Sequence, residues 1–274
     1  MIRLILISIS FFLVVPLSKL QAQNFQGVAT YKSHRKMDVK FDDEKMSSEM
    51  QKDIQAQLSK QFQKEYTLKF NATESVYKVV EQLEAPMPSK SGMVFRISEG
   101  SDELYKNIKN KKYTNATELY GKLFLVEDSL TSRNWELSKE TKHIGEYLCF
   151  KASYTEDYDV ETFNQEGKIT KENKTRTVTA WYTPQIPISN GPRMYQGLPG
   201  LILEINDGEL TLICNKIVLN PDEDLKIEAP SKGKEVSQAE YDGIVKKKTE
   251  EMMERFRSTK RGGDGDKMII KIGG

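Results

Sequence analysis

The sequence predicts an α+β protein that is mostly β: a long antiparallel meander or half-barrel sheet, one amphipathic helix packed on it, and a charged carboxy-terminal helix. Three observations support this prediction. Short segments of alternating apolar and polar residues, separated by turn residues, recur between residues 65 and 126. Apolar residues recur at every fourth position between residues 46 and 62. A segment rich in proline and glycine joins two further strands at residues 183–200.

The amino terminus has the layout of a secretory signal peptide over residues 1–22. Arg3 precedes the apolar run Leu4–Val15, and the small residue Ala22 stands at the expected cleavage point. We therefore expect export, with the mature protein in the periplasm, at the outer-membrane periphery or outside the cell. No later stretch approaches the ~18 apolar residues of a spanning helix, so no transmembrane helix is expected after signal cleavage.

The rest of the chain divides by composition. We expect one β-rich domain at residues 23–220, which includes the amphipathic helix at residues 44–63, and a charged tail at residues 221–274. The chain has 41 Lys and Arg against 40 Asp and Glu. Removing Arg3 and Lys19 with the signal leaves 39 basic against 40 acidic residues, a net charge of −1. Nucleic-acid binding relies on a basic field, so this balance argues against it.

The first strand is predicted at Gln26–Lys32, where the side chains alternate in character. The helix at residues 44–63 follows, and its apolar stripe consists of Met46, Met50, Ile54, Leu58 and Phe62. Burial of this stripe against the protein's own sheet is the first interpretation. Binding of an amphipathic partner or a lipid is the second, because methionine-bearing surfaces adapt to varied apolar partners.

Further strands are predicted at Tyr66–Phe70, Ser75–Glu81, Met93–Ile97, Glu103–Asn107, Lys112–Thr117, Lys122–Val126, Tyr147–Tyr154, Thr175–Trp181, Leu201–Ile205 and Leu210–Leu219. Between them, Trp135 leads into a predicted turn region that extends to His143. The sequence Asn206–Glu209 contains an Asp-Gly pair and predicts a tight hairpin turn. The sheet should therefore be built mainly from neighbouring antiparallel strands.

The charged tail should contain a helix at about residues 238–257. Ser237 and Glu240 have the spacing of a capping box, in which each side chain binds the other residue's backbone N–H. Residues 266–272 beyond the helix are predicted to be an edge strand or a disordered tail.

The connector between the strands at 175–181 and 201–205 is predicted to be stiff and extended. Each of its prolines fixes φ and removes an N–H donor. Its apolar residues, among them Ile186 and Leu198, predict that it packs against the protein. The first interpretation is a structural clasp, in which Trp181 packs on Gly197–Ile202 or on a shared core. The alternative is that the connector lines a groove or pocket mouth.

Residues 197–202, Gly-Leu-Pro-Gly-Leu-Ile, match the motif after which the GLPGLI family is named. Ile144–Ala152, Ala180–Pro184 and Gly191-Pro192 resemble that family too, so the resemblance covers about Trp135 to Asn206. It implies an exported protein of Bacteroidota-type bacteria with undefined function. It implies no catalytic residues.

Catalytic and metal-binding patterns are scarce in the sequence. The two histidines, His34 and His143, lie in separate segments, so a His-based zinc site is not predicted. An acidic cluster lies between two predicted strands and consists of Glu156, Asp157, Asp159 and Glu161. A solvated hairpin tip is the first interpretation of this cluster and a calcium site the alternative. We predict no cofactor, no metal site and no catalytic residue.

The only two cysteines are Cys149 and Cys214, both on predicted strands. An exported protein with an even cysteine count permits one disulfide. Strand alternation gives the two residues different neighbours, which weakens the case for pairing. A Cys149–Cys214 disulfide and two buried free thiols both stay open.

The first functional hypothesis is a non-enzymatic binding or carrier module for an apolar small molecule or lipid. Its ligand-binding residues would be Trp181, Tyr182, Tyr195, Leu198, Met50 and Ile54. The second is a structural or assembly partner in a cell-envelope complex, which would use the charged helix and the strand near Ile269. An enzyme is the third hypothesis and has the least support, because the sequence contains no recognisable nucleophile–base pair.

Overall fold

The computed structural model describes residues 25–35, 49, 63–80, 102–163 and 169–259. Four sequence predictions fall outside these ranges: the signal peptide, the body of the helix at residues 44–63 with Met50 and Ile54, the strand Met93–Ile97, and the segment 266–272. They stay predictions. The described residues contain a sheet of twelve strands and one helix with described bounds.

The strands are β1 Gly27–Arg35, β2 Glu65–Phe70, β3 Glu74–Val79, β4 Glu103–Asn107, β5 Lys112–Leu119, β6 Lys122–Ser129, β7 Glu136–Ile144, β8 Tyr147–Phe163, β9 Ile169–Thr183, β10 Leu201–Asn206, β11 Leu210–Leu219 and β12 Lys234–Val236. The helix α1 is Gln238–Thr259. This composition confirms the predicted mostly β fold with a carboxy-terminal helix.

All twelve strands belong to one open sheet, in the order β12-β6-β5-β4-β3-β2-β1-β11-β10-β9-β8-β7. Neighbours are antiparallel except β12, which runs parallel to β6. The strands β2 to β6 form a meander, and β7 to β11 form a second run of hairpins. These two runs meet where β1 pairs with β11, with Gly27 opposite Leu219 and Arg35 opposite Leu210.

Alternation along β1 places its buried side chains on one face of the sheet. Ala29, Tyr31 and Ser33 are buried, whereas Lys32 between the last two is exposed. Ala29 lies opposite Leu68 of β2, so the buried face continues across the strand pair. Cross-strand pairs of this kind are the units that stabilise a sheet.

The predictions were least accurate between residues 135 and 183. The predicted turn region after Trp135 is wrong: Glu136–Ile144 is strand β7, paired with β8. The strands β8 and β9 continue well beyond the predicted Tyr147–Tyr154 and Thr175–Trp181. Apolar alternation ends near Tyr154, but polar cross-strand pairs extend the hairpin past that point.

The local turn and cap predictions are confirmed. Asp207 Oδ1 accepts hydrogen bonds from the backbone N–H of Glu209 at 3.1 Å and of Leu210 at 2.7 Å, which closes the turn between β10 and β11. At the start of α1, Ser237 N–H donates to Glu240 Oε2 at 2.8 Å, and Glu240 N–H donates to Ser237 Oγ at 3.3 Å. These paired bonds are the predicted capping box.

Helix α1 packs against the β6 side of the sheet. The rings of Phe124 and Tyr241 meet edge to face, with centroids 5.6 Å apart. Tyr113 Oη donates to Gln238 Oε1 at 2.8 Å. The helix therefore covers the end of the meander. Across the described ranges, no helix combines the length and apolar character needed to cross a membrane.

Substitution of Gly200 tests whether the fold requires the close backbone approach at the junction of β9 and β10. A Cβ at this position would lie 2.2 Å from Thr183 O, a backbone atom that cannot move aside. We expect Gly200→Val to lower the free energy of unfolding by about 2 kcal/mol or more, and Tm by roughly 5 °C. Gly243→Ala is the control, because a Cβ there meets no heavy atom within 4 Å. Equal melting of the two variants would contradict this account.

Candidate functional site

The connector, here residues Pro184–Gly200, leaves β9 and enters β10 while burying most of its apolar side chains. Ile186 is 0%, Leu198 1% and Ile188 4% exposed. Ile186 and Ile188 belong to one core cluster, and Leu198 belongs to the other. The connector therefore forms part of the protein's core, as the clasp interpretation predicts.

Backbone hydrogen bonds fix the path of the connector. Leu201 N–H donates to Ile186 O at 2.9 Å, and Ile202 N–H donates to Asn190 O at 2.9 Å. Tyr31 Oη reaches from β1 and donates to Ile202 O at 2.7 Å. Gly191 is required by packing, because a Cβ there would lie 2.8 Å from Ile202 Cβ. These contacts close the connector onto the start of β10.

Side chains that precede β7 bind the far end of the connector. Arg133 Nη1 donates to Met194 O at 2.7 Å, and its Nε donates to Tyr154 Oη at 2.9 Å. The Arg133 guanidinium also lies over the Tyr195 ring, 5.0 Å from its centroid. Trp135 Nε1 donates to the carbonyl of the connector residue Gln196 at 3.0 Å. A cation and an indole thus hold three successive connector residues.

Lys106 of β4 also binds the connector. Its side chain is 0% exposed, and Nζ donates to Gly191 O at 2.7 Å and to Tyr195 O at 3.4 Å. Burial, and then the nearby charge of Arg133, holds the pKa of Lys106 well below its usual value. A buried lysine that binds uncharged carbonyls is rare in folded proteins.

The six predicted ligand-binding residues fall into three groups. Tyr182, Tyr195 and Leu198 are buried together in one core cluster. Trp181 is half-buried against the other cluster, and Lys142 Nζ lies 4.4 Å from the centroid of its ring. Met50 and Ile54 lie outside the described residues. The structure thus brings three of the six together inside the core, next to Arg133 and Tyr154.

Both cysteines are buried free thiols that belong to the same core cluster. Burial raises the pKa of Cys149 to about 11 and that of Cys214 to about 12. Such thiols react slowly, because the thiolate is the reactive form.

The acidic cluster lies along a strand and not at a hairpin tip, which corrects the first interpretation. Glu156, Asp157 and Asp159 are on β8, opposite Arg176, Thr175 and Asn173 of β9 respectively. Glu156 Oε1 accepts from Arg176 Nε at 2.8 Å. Among the residues with described positions, no three His, Cys, Asp or Glu side chains are arranged to hold a metal ion.

Sequence reasoning missed Lys106, Arg133 and Asn190. For Lys106 a signal existed, since Leu104 and Lys106 share a face of β4 by alternation. A lysine on the apolar face of a strand usually extends its ammonium to solvent at the edge of the sheet. Whether Lys106 is buried therefore depends on which segment covers β4. Arg133 lies in an irregular segment, where no periodicity indicates the direction of a side chain.

A family model described as "Protein of unknown function (Porph_ging)" matches residues 135–204. It covers the segment that resembles the GLPGLI family, from the residue before β7 to Glu204 in β10, and includes the connector. No curated protein matches the sequence. Two solved structures of PNGF-II, in the C2 and P21 space groups, resemble the fold with TM-scores of 0.46 and 0.45 at 13% and 14% identity. They match 81% and 80% of this chain, which spans 32% and 33% of theirs.

The raised thiol pKa of Cys214 predicts a specific loss of stability at alkaline pH. The folded pKa lies above the ordinary value of 9.0, so burial of the neutral thiol stabilises the folded state fully below pH 9. This stabilisation is lost as the pH rises to about 12. The stability difference between wild type and Cys214→Ala should therefore shrink by up to about 1.4 kcal/mol per pH unit in that window. Urea unfolding at pH 8 to 12 measures it.

The matched control is Leu212→Ala, which removes a buried side chain of β11 that does not titrate. Its stability difference from wild type should not change over the same pH range. A constant difference for Cys214→Ala as well would contradict the burial of the thiol.

Arg133 offers a test of the clamp on the connector. Arg133→Met removes the charged hydrogen bonds to Met194 O and Tyr154 Oη, and should lower the free energy of unfolding by about 2 kcal/mol or more. Arg193→Met, at an exposed connector position, is the control and should stay near wild type. Urea unfolding compares them, and equal midpoints would show that Arg133 does not hold the connector.

Proposed function

We propose that the protein is an exported, non-enzymatic binding module of the cell envelope that captures an extended basic segment of a partner protein at the free edge of β8. The observation that supports this most directly is the length of the β8–β9 hairpin. It extends past every neighbouring strand in the described part of the chain. The layout of residues 1–22 supports export.

The outer part of the hairpin is a two-stranded ribbon. Ten residue pairs, from Tyr154 with Val178 to Phe163 with Ile169, continue the ladder. In the described ranges, β7 pairs with β8 only up to Ser153, and β10 pairs with β9 only from Thr179 onward. At about 3.4 Å per residue the ribbon is about 34 Å long.

The backbone along the outer edge of β8 suits β-strand addition. An unpaired strand edge offers a row of N–H and C=O groups to another chain. Six residues, Thr155–Val160, would give about six backbone hydrogen bonds, each contributing about 1 kcal/mol net. An affinity in the micromolar range is therefore expected once the cost of ordering the partner is subtracted.

The charge of the ribbon favours a basic partner. Asp157 and Asp159 are exposed on one face, where they accept from Thr175 Oγ1 at 2.7 Å and from Asn173 Nδ2 at 3.1 Å. Both donors are neutral, so two carboxylate charges remain uncompensated by these bonds. A strand with Lys or Arg at alternate positions would place cations opposite them.

Binding of an apolar small molecule or lipid, the first hypothesis from sequence, stays a prediction. Tyr182, Tyr195 and Leu198 are buried in the protein's own core, so a ligand would have to displace the connector to reach them. Fluorescent fatty acids, added in the same experiments as the peptides below, test this alternative directly.

The test is titration with a ten-residue peptide of alternating threonine and lysine, followed by fluorescence anisotropy. We expect micromolar binding by wild type and at least fivefold weaker binding by Asp157→Asn/Asp159→Asn, which removes two charges. The matched control is Asp222→Asn/Asp224→Asn, which removes two exposed aspartates outside the sheet and should bind like wild type.

Two further peptides separate strand pairing from charge attraction. A peptide of alternating threonine and glutamate should not bind. A basic peptide with proline in place of every threonine and every second lysine loses the backbone N–H at each proline on both edges of the strand, and should bind at least tenfold more weakly. Equal binding of the proline peptide would refute strand addition. A photo-crosslinker at Thr155 should capture a partner in the native envelope, whereas one at Lys216 should not.

A further inference from the structure

Lys106 is an ionisable side chain buried inside the protein, and it has no anionic partner among the described residues. The ion pairs formed among the described residues do not include it. Its two acceptors, Gly191 O and Tyr195 O, are neutral carbonyls. The ammonium has three N–H groups, so one is not used by these bonds. Burying an unpaired charge is costly, which suggests that a further group compensates it.

Two other buried polar groups lack a hydrogen-bond partner within the described part of the chain. Asn190 is 2% exposed, and its Nδ2 has no acceptor, although its Oδ1 accepts from Gly191 N–H at 2.8 Å. Ser75 is 0% exposed, and its Oγ has no partner. A buried polar group without a partner is destabilising, so such groups require an explanation.

Both groups belong to residues next to Lys106 or next to its acceptor. Ser75 of β3 lies directly opposite Lys106 of β4, so the two side chains project from the same face with Cβ atoms about 5 Å apart. Asn190 is joined to Gly191, whose carbonyl accepts from Lys106. The three therefore supply an ammonium, an amide NH₂ and a hydroxyl in one region of the core.

We propose that Lys106, Asn190 and Ser75 form a buried binding site for one small monovalent anion, such as chloride. The available groups fit an anion, since the ammonium supplies the charge and the amide and hydroxyl supply donors. A cation is disfavoured, because the guanidinium of Arg133 lies close enough to act electrostatically on Lys106. The anion would join the strands β3 and β4 to the connector, and so would stabilise the closed connector.

Anion binding predicts a linkage between anion concentration and folding. Only the folded protein assembles the site, so the folding equilibrium constant rises by the factor 1 + [anion]/Kd. Above Kd, each tenfold increase in chloride should raise it about tenfold. The experiment is urea unfolding of the full chain at 1 to 100 mM sodium chloride, with sodium gluconate holding ionic strength constant because gluconate is too large to be enclosed.

Two variants make the test specific. Lys106→Met should abolish the chloride dependence, and Lys216→Met, an exposed lysine of β11, should retain it. Asn190→Asp keeps the acceptor for Gly191 N–H and places a carboxylate beside Lys106. We expect it to fold without chloride dependence, so it decides the question even where Lys106→Met does not fold.

A direct readout is crystallography with sodium bromide. The bromide anomalous signal should give one peak within hydrogen-bond distance of Lys106 Nζ, and none in Asn190→Asp. The proposal is overturned if wild-type folding does not respond to chloride, or if Asn190→Asp responds as wild type does. It is equally overturned if no bromide peak lies at Lys106.

Discussion

The packing of the connector into the core is the interaction on which the rest of the structure depends. An open sheet leaves one apolar face to be covered, and residues 184–200 supply apolar side chains to both core clusters. Its prolines restrict the unfolded chain, so fixing this long segment loses less entropy than fixing a flexible one. Gly191 and Gly200 allow the close backbone contacts that this packing requires. Substitutions at either glycine would therefore disturb the core and not merely a loop.

Cations hold the connector through its carbonyl groups. Lys106 of β4, and Arg133 and the indole of Trp135 before β7, reach the carbonyls of residues 191–196. Charged donors make stronger hydrogen bonds than neutral ones, but they must be desolvated to do so. Outside the core the cations pair conventionally: Arg176 bridges Glu156 and Asp207, and Lys142 pairs with Glu204. Lys106 and Arg133 belong to none of the ion pairs formed among the described residues, and both bind the connector, where a small anion would have the greatest effect.

The hairpin of β8 and β9 serves two roles along its length. Near the core, Ala152 and Ala180 face each other as a buried pair. Farther out, between Thr155–Thr177 and Asp159–Asn173, the pairs are at least partly exposed, and side-chain hydrogen bonds link most of them. A two-stranded ribbon is only marginally stable by itself, so its anchored end must hold the free end in place. Such a ribbon is well suited to pair with a third strand, because each added backbone bond also stabilises the existing ladder.

The sequence alone determined the features that depend on neighbouring residues. The mostly β class, the Asp207-Gly208 turn, the capping box at Ser237 and the extended connector follow from periodicity and from backbone restrictions at proline and glycine. Only the tertiary structure decided which distant segments meet: the pairing of β1 with β11, the burial of Lys106, and the surroundings of Cys149 and Cys214. Alternation shows which side chains share a face, but not what covers that face. The covering segment here comes from about 85 residues away along the chain, between Lys106 and Gly191, so its effect on Lys106 depends on the completed fold.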